Sequence, residues 1–390
     1  MSTYRSDRNP GIDFLRGIAI LSVLILHFSL AFGFKNSPLG SLLPEWLLKG
    51  LTRNGNYGVT LFFVISGFLI TSTSLKRWGS LNRIDARAFY LFRFARIMPS
   101  LVLALAIIVT LGCLDLPYFS SSDGGRHLPA SYFLIAAGSV LSFWHNVLMQ
   151  SAGYFNYCLN IYWSLSVEEV FYLALPIICL SLRRDWLIAA ACGVAIVVGP
   201  IYRAQHLDNE IFFMYGYAAC FDAIAIGCLA ALLARRFTVP ARYRRALRYA
   251  AIAAIAALFL RGIDGHEIFG FSLMALAGAV FLSAAARGGD SDGGRAGAAP
   301  RWLGRHSYEL YLFHIIVLAL MRNVLTKEQL SYGARLPWFL LFLALSALIA
   351  AQVARHVSEP AKAAIRRRYL ARADAATEGA GNAVRLPDRP

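Results

Sequence analysis

Residues 12–34 read IDFLRGIAILSVLILHFSLAFGF and are long enough to cross a bilayer as one helix, which takes about 20 apolar residues. Three ionisable side chains interrupt this stretch: Asp13, Arg16 and His27. Such groups are costly inside a spanning helix and usually face the interior of a bundle or a wet cavity. Arg16 and His27 are eleven residues apart, so they share one helix face about 16 Å apart along the axis. The pattern favours a functional pair over an Arg that snorkels to the headgroups and a His that packs between helices.

The composition is typical of a polytopic membrane protein. Of the 390 residues, 58% are hydrophobic and 15% are charged, and the mean hydropathy is +0.54. Soluble domains are closer to roughly half apolar. The net charge of +16 comes from basic residues in short segments between apolar runs, as in cytoplasmic loops rather than on a nucleic-acid-binding face. We therefore expect an all-α integral membrane protein with the lipid bilayer, and no nucleic acid, as a partner.

Ten apolar runs are predicted to cross the membrane. They cover residues 12–34, 57–75, 98–114, 163–182, 186–202, 211–234, 247–261, 268–286, 308–325 and 337–357. An eleventh run, 132–150, is ambiguous. If it does not cross, the Arg-rich connections after the second, fourth and sixth spans fall on the same side as the N-terminus and the basic tail, as the positive-inside rule requires. The prediction is a ten-helix transmembrane bundle with both termini cytoplasmic and 132–150 as a re-entrant or interfacial segment.

Residues 1–362 are predicted to form one integral membrane domain. A glycine-rich linker, GGDSDGGRAGAAP at 288–300, separates the last two spans from the rest. Residues 363–390 are Arg- and Ala-rich and then polar, so we expect a short helix that frays into a flexible cytoplasmic tail. Two prolines are expected to mark helix boundaries, Pro99 at the start of the third span and Pro360 at the end of the last.

Arginines gather near the predicted inner end of the first span. Arg93 and Arg96, in FRFARIMP, stand at the inner mouth of the third span, and Arg16 is about 6 Å from the inner end of its own span. A planar guanidinium binds two phosphate oxygens at once, so three of them at one mouth would form an anion site. The alternative is that Arg93 and Arg96 set the topology and bind lipid headgroups.

Two adjacent acids, Glu168 and Glu169, stand in NIYWSLSVEEVFYLALP, residues 160–176. Neighbouring helix positions point in different directions, so one carboxylate is expected to serve the site while the other pairs with an Arg. Glu168 lies about 8 Å and His27 about 10 Å below the outer ends of their spans, so the two are predicted to meet at a similar depth. A carboxylate beside an imidazole fixes its tautomer and raises its basicity, as a general base requires. The alternative is a buried Glu–Arg pair that holds the bundle together.

Weaker candidates complete the predicted pocket. His314, in YELYLFHIIV, is in the middle of a span, where a packed histidine is the simpler interpretation, and Asp222, in CFDAIAIG, is a candidate second polar wall. Asp13, Tyr162 and Trp163 are the remaining pocket candidates. The sequence contains no His/Cys cluster with metal-ligand spacing, no P-loop and no GxGxxG segment. We therefore expect neither a metal nor a bound cofactor.

Six motifs follow one another along the chain. They are DFLRGIAILSVLILH, GVTLFFVISGFLI, FRFARIMP, YWSLSVEEVFYLALP, LGRHSYELYLFH and SEP. Together, over about residues 10–362, they resemble the acyltransferase-3 family of membrane acyltransferases, the O-acetyltransferase type that modifies bacterial surface polysaccharides. The sequence departs from that pattern at Cys220, where members often have an Arg before a Phe-Asp pair. Many members also carry a further extracytoplasmic hydrolase-like domain, for which we expect no room before residue 390.

The resemblance implies an enzyme with two substrates on opposite sides of a membrane. The donor would be cytoplasmic acyl-CoA, with acetyl-CoA the default. The acceptor would be a hydroxyl of a surface or exported polysaccharide, or of another glycan, at the outer face of a bacterial inner membrane. The resemblance also implies that Arg16 and His27 are required.

The mechanism predicted from these residues is direct transfer. The three arginines hold the CoA phosphates at the inner mouth, and His27, oriented by Glu168 or Glu169, removes a proton from the acceptor hydroxyl, whose oxygen attacks the thioester. An acyl-His27 intermediate formed in a first half-reaction is the variant. Two other classes fit intramembrane charges in a bundle, a proton-coupled transporter and a non-catalytic partner in polysaccharide assembly.

Overall fold

The computed structural model describes residues 9–121, 128–286 and 297–369, and within these ranges all regular structure is helical. Residues 1–8, most of the predicted linker at 288–300 and the predicted tail from residue 370 onward lie outside the described residues. The last three linker residues already belong to a helix, Ala298–Arg305. The described start of the tail, 363–369, is helical.

Sixteen α-helices follow one another in the described residues. The first eight are α1 Pro10–Phe32, α2 Pro38–Leu42, α3 Glu45–Arg53, α4 Asn56–Trp78, α5 Ala86–Cys113, α6 Tyr132–Leu141, α7 His145–Ala152 and α8 Trp163–Leu182. The second eight are α9 Asp185–Gln205, α10 Glu210–Tyr215, α11 Tyr217–Arg236, α12 Ala241–Arg261, α13 Gly270–Ala285, α14 Ala298–Arg305, α15 Ser307–Val324 and α16 Arg335–Val353. We call the end of the bundle at which α1 begins the proximal end, and the opposite end the distal end.

Seven helical stretches are long and apolar enough to cross a membrane. They are Pro10–Phe32, Asn56–Trp78, Ala86–Cys113, Asn160–Leu182, Asp185–Gln205, Glu210–Arg236 and Tyr332–Tyr369. They coincide with seven of the ten predicted spans. The other three predicted spans are helical as α12, α13 and α15, but α13 has only 16 residues and α12 begins with a run of arginines. The protein is therefore a multi-pass membrane protein, and the count of ten spans stays a prediction.

The centre of the bundle is the crossing of α4 and α11. In the apolar window of α4, 78% of the residues are buried, whereas the windows of α9 and of the last helix are 22% buried and face outward. Glycines set the closest approach: a Cβ on Gly67 would run into the carbonyl of Ile224, and one on Gly227 into the carbonyl of Val64. Small residues of this kind let membrane helices approach backbone to backbone.

The ambiguous run at 132–150 is not one helix. It forms α6, of ten residues, and α7, of eight, with a break at Phe143, whose φ of 64° is left-handed. Neither piece approaches the roughly 20 residues that a crossing requires. The loop after α7 is fixed over the start of α8, because the Asn156 side chain donates to the Phe119 carbonyl (2.9 Å) and accepts from the backbone of Leu159 (2.9 Å).

The expectation that Pro99 begins a helix is wrong. The helix α5 begins at Ala86, where the Asp85 side chain caps it by accepting from the backbone N–H of Ala88 (3.0 Å), and Pro99 lies in its interior. A capping Asp supplies the partner that the first N–H groups need, whereas a proline costs a spanning helix one hydrogen bond that neighbouring groups can offset. Arg93 and Arg96 therefore lie well inside α5 rather than at its mouth.

Pro360 does not end the last helix either. The chain stays helical to Tyr369, and a π turn, Ala354–Ser358, precedes the proline. The wider π turn changes the carbonyl positions that a proline ring would otherwise strike. Ser358, at its end, donates to the buried carboxylate of Glu309 on α15 (2.6 Å) and contacts Ser100 on α5 (2.7 Å). The turn thus ties three helices together.

Five of the arginines that the positive-inside rule assigned to one side lie together at one end of the bundle. Arg83, Arg183, Arg184, Arg235 and Arg236 line a single open cleft at the proximal end. This common location is what the predicted topology of the second, fourth and sixth spans requires.

Candidate active site

The side chains of Arg16 and His27 border different cavities of the bundle. Arg16 borders a central cavity of about 80 Å³, and His27 borders a distal cavity of about 1390 Å³. Their spacing along α1, about 16 Å by helical rise, is the distance between the two sites.

The central cavity brings together five of the predicted site residues. Arg16 from α1, Arg93 and Arg96 from α5, and Glu168 and Glu169 from α8 all line it. Within the described ranges none of the three guanidiniums makes an ion pair within 4.0 Å or a hydrogen bond. Their N–H groups therefore remain available to a ligand. Arg16 and the two α5 arginines thus line one cavity, and their role as an anion site stays a prediction.

Glu168 is held by hydroxyl groups rather than by an imidazole. Ser66 on α4 and Tyr172, one turn along α8, both donate to its Oε1. The guanidinium of Arg93 lies over the ring of Tyr172, 4.3 Å from its centroid. Glu169 is 6% exposed, and its Oε1 has no hydrogen-bond partner in the described part of the chain. Both carboxylates thus belong to the arginine-lined cavity.

The prediction that Glu168 or Glu169 contacts His27 is wrong. The partner of His27 is His314, whose Nε2 lies 3.0 Å from Nδ1 of His27, with the ring centroids 5.0 Å apart. His314 is completely buried. It is more than a histidine packed between helices, because its ring lies within hydrogen-bonding distance of the ring of His27.

The difference in depth between Glu168 and His27 has a structural cause. The Tyr311 hydroxyl bonds to Ser164 Oγ (2.6 Å) and to the Ile161 carbonyl (2.8 Å), so Tyr311 is level with the start of α8. His314 lies about one turn beyond Tyr311 toward the distal end, and Glu168 about one turn beyond Ser164 toward the proximal end. The start of α8 packs against α7, where the backbone N–H of His145 donates to Ser166 Oγ (3.1 Å). The start of α8 and the distal end of α1 are therefore not at the same level, and residue counts from the two ends cannot be compared.

Three neighbouring cavities run from one end of the bundle to the other. A proximal cavity of about 900 Å³ has Arg77, Arg305 and Lys362 in its wall and shares Arg16, Arg93 and Arg96 with the central cavity. The central cavity in turn shares Val59 and Tyr311 with the distal cavity. The three cavities therefore adjoin one another in the order proximal, central and distal, with Arg16 at the first boundary, Tyr311 at the second and His27 in the last.

The other pocket candidates have separate positions. Asp13 borders the proximal cavity and interacts electrostatically with Arg16. Trp163 borders the distal cavity, where its ring stacks on Tyr215 with centroids 4.4 Å apart. Tyr162 is buried, and its hydroxyl has no hydrogen-bond partner among the described residues.

Asp222 is not a wall of a substrate pocket, contrary to prediction. It pairs with Arg203 on α9 at 2.8 Å, and both side chains are 0% exposed. Ser272 on α13 donates to the same Asp222 oxygen (2.5 Å), and Arg203 also donates to the carbonyls of Ile268 (2.9 Å) and Ala219. The crevice beside Asp222 holds about 10 Å³, too little for a substrate. Its charge is therefore neutralised inside a structural network.

The sequence analysis missed Arg203. This residue follows the predicted end of the fifth span by one position, so it was assigned to a loop and not to the interior of the bundle. The signal that could have found it is Asp222 itself, since an acid in the middle of a span calls for a buried cation. Cys220, where the resemblance led us to look for an Arg, donates its thiol to the Met214 carbonyl at 3.2 Å. The guanidinium beside the Phe221-Asp222 pair is that of Arg203, which comes from α9.

The chain is similar to known proteins over most of its length. A family model described as an acyltransferase domain matches residues 9–355. The peptidoglycan O-acetyltransferase OatA of Listeria monocytogenes is 25% identical over 344 residues, 82% of this chain and 51% of that protein. The O-acetyltransferase OatA of Staphylococcus aureus is 23% identical over 373 residues, 90% of this chain and 57% of that protein. The chain thus spans about half the length of the curated relatives it matches. No solved structure matches it.

Proposed function

This chain belongs to the acyltransferase family whose model covers residues 9–355, and from that premise we propose that it is an O-acyltransferase with acyl-CoA as donor and a glycan hydroxyl as acceptor. The donor enters at the proximal end and the acceptor at the distal end. The acyl group is acetyl by default, as in the names of the relatives. The observation that carries this proposal is the succession of cavities that joins three arginines to His27.

The positive charge at the proximal end supports a donor site there. CoA carries phosphates at its nucleotide end and a thioester at the tip of a long, thin arm. Arg93 and Arg96 border the wide proximal cavity, and their N–H groups have no hydrogen-bond partner among the residues that the structure describes. Guanidiniums bind phosphate oxygens in pairs. The narrow central cavity suits the arm, with Arg16 beside it. The two glutamates in the same wall offset part of this positive charge, and the guanidinium of Arg93 rests over the ring of Tyr172.

The size and the wall of the distal cavity support an acceptor site there. The distal cavity is the larger one, with aromatic rings at Trp163 and Tyr215 and charged side chains such as Glu210 and Lys35 in its wall. Aromatic faces and polar groups suit a sugar, which has apolar C–H faces and hydroxyl edges. The Listeria relative is named for a glycan acceptor, peptidoglycan. We propose a surface or exported polysaccharide, or another glycan, as the acceptor class.

The chemistry proposed at the junction is general-base acyl transfer. His27 accepts the proton of the acceptor hydroxyl, and the oxygen attacks the thioester carbonyl carbon. The tetrahedral intermediate expels the CoA thiolate, which takes the proton back from the imidazolium and leaves toward the proximal end. A positioned base of this kind typically contributes about 10²–10⁴-fold to the rate. An acyl-His27 intermediate formed in a first half-reaction is the variant, and ping-pong kinetics would favour it.

The orientation follows from the donor. CoA is a cytoplasmic metabolite, and the proximal end holds the arginine-lined cleft that the positive-inside rule assigns to the cytoplasm. We propose a bacterial inner-membrane protein with the proximal end, and with it both termini, in the cytoplasm. The single integral membrane domain at 1–362 belongs to the same proposal.

The proposal is tested by acyl transfer in lipid nanodiscs. The purified protein is given radiolabelled acetyl-CoA and crude surface glycan of the host, and the label on glycan is counted for wild type, His27→Ala and His356→Ala. His356 is exposed and borders none of the three cavities, so its variant is the matched control. We expect transfer by wild type and the control and none by His27→Ala. Equal transfer by His27→Ala would remove the proposed base, and absence of transfer together with absence of acyl-CoA binding would favour a transporter.

A further inference from the structure

The contact between His27 and His314 has consequences for where their protons lie. His314 Nδ1 is 3.0 Å from the Leu310 carbonyl and 2.8 Å from the Tyr311 carbonyl. Carbonyl oxygens can only accept, so Nδ1 of His314 carries the hydrogen. A neutral imidazole has one N–H, and Nε2 of His314 is therefore an acceptor.

That acceptor is directed at His27. Because Nε2 of His314 has a lone pair, Nδ1 of His27, 3.0 Å away, must be the donor. The single N–H of neutral His27 is then used, and its Nε2 has the lone pair. The His27 ring borders the distal cavity. The nitrogen that can accept a proton from a hydroxyl is thus Nε2.

The alternative arrangement is a protonated pair. It would put a net positive charge on two adjoining rings inside the bundle, of which His314 is completely buried. Within the described residues no carboxylate hydrogen-bonds to either ring. An uncompensated charge at this depth is costly, so the pair rests in its neutral form.

We propose that His314 is a positioning residue that fixes His27 in the tautomer with hydrogen on Nδ1, so that Nε2 is the base; the role in transfer rests on the proposed function. When Nε2 takes the proton of the acceptor hydroxyl, the Nδ1–H bond to His314 becomes charge-assisted and stronger. A neutral imidazole anchored by two backbone carbonyls thus takes the place of the carboxylate in the usual acid–base arrangement, and the two glutamates are left for the arginine-lined cavity.

The tautomer is measured without any substrate, which separates this inference from the proposed function. Protein with ¹⁵N-labelled histidine is placed in lipid bilayers, and solid-state NMR spectra of wild type and His27→Ala are subtracted to isolate the signals of His27. We expect a protonated Nδ1 and an unprotonated Nε2 in the wild type. In His314→Phe the backbone carbonyl of Val23, one turn earlier on α1, is the remaining partner of the His27 ring, and we expect a measurable fraction of His27 to carry its hydrogen on Nε2 instead. Protonation of His27 at Nε2 in the wild type, or an unchanged spectrum in His314→Phe, would overturn the inference.

Kinetics test the same residue by a different readout. His314→Phe should lower kcat by about 100-fold or more, on the order of what a misplaced base proton costs, while the donor KM stays within about threefold. His314→Gln, whose amide oxygen can accept from His27, should recover a substantial part of the rate. Leu318→Ala is the packing control, one turn along α15 and equally buried. A loss in Leu318→Ala as large as that in His314→Phe, or no recovery by Gln, would assign His314 a merely structural role. A correct tautomer in a protein that transfers no acyl group would leave the tautomer assignment standing and refute the proposed function.

Discussion

Replacing Arg93 by Gln removes one of the three guanidiniums proposed to hold the donor. Arg93 borders both the proximal and the central cavity, and within the described ranges it has no ion pair within 4.0 Å, so its N–H groups are not committed to the protein. A hydrogen bond to a charged group contributes about 1.5–3 kcal/mol, and each 1.4 kcal/mol is tenfold in an equilibrium constant. Arg16 and Arg96 stay, and Arg96 no longer repels a like charge. We therefore expect about 10- to 100-fold weaker acyl-CoA binding.

The assay is equilibrium binding of acetyl-CoA to the protein in nanodiscs, with Arg87→Gln as the matched control. Arg87 lies on the same helix but is exposed and borders none of the three cavities. Arg93→Lys separates charge from geometry, because Lys keeps the charge but lacks the planar fork that binds two oxygens. The order of affinity should be wild type, Arg93→Lys and then Arg93→Gln, with Arg87→Gln like wild type. Equal affinities for Arg93→Gln and Arg87→Gln would refute the donor site and make Arg93 a determinant of topology.

Three further predictions concern the packing of the bundle and the wall of the distal cavity. Arg203→Met should lower the free energy of unfolding by about 3–5 kcal/mol, because it leaves Asp222 buried without its partner. The double variant Arg203→Met with Asp222→Leu should recover most of that loss. Detergent-induced unfolding followed by tryptophan fluorescence measures both, and a double variant as unstable as the single one would contradict the prediction. Gly67→Leu should abolish the α4–α11 approach and the yield of monodisperse protein, whereas Gly193→Leu, whose Cβ meets nothing within 4 Å, should not, as size-exclusion chromatography of fluorescent fusions would show. Trp163→Ala should raise the KM for the glycan acceptor at an unchanged donor KM in steady-state transfer assays, and the opposite split would move Trp163 to the donor side.

Much of the fold could be predicted from hydropathy alone. Each predicted span is occupied by a helix, because a long apolar run in a bilayer must satisfy its backbone internally. Local capping was less visible: Asp85 sets the start of α5, although Pro99 is the more conspicuous residue. The break of 132–150 into two short helices depends on a left-handed Phe143, which no periodicity reveals.

The site was predictable only within single helices. Arg16 and His27 lie on the same helix, α1, and Arg16 shares a cavity with Arg93. To predict a contact between two helices, one must know the relative depth of the helix ends in the bundle. That depth depends on the loops and short helices that cover the ends, such as α6 and α7. Glu168 was therefore assigned to the wrong cavity. The His314 contact was missed for the same reason, since nothing in a lone histidine states which helix it meets.

In the proposed reaction an acyl group passes through the bundle from the arginines to His27. The most direct test uses sealed proteoliposomes selected for one orientation, with radiolabelled acetyl-CoA on the proximal side and glycan acceptor on the distal side. We predict labelled glycan on the distal side for wild type, and none for His27→Ala although that variant still binds acetyl-CoA. Label that appears only on acceptor supplied on the proximal side, or undiminished transfer by His27→Ala, would contradict the account.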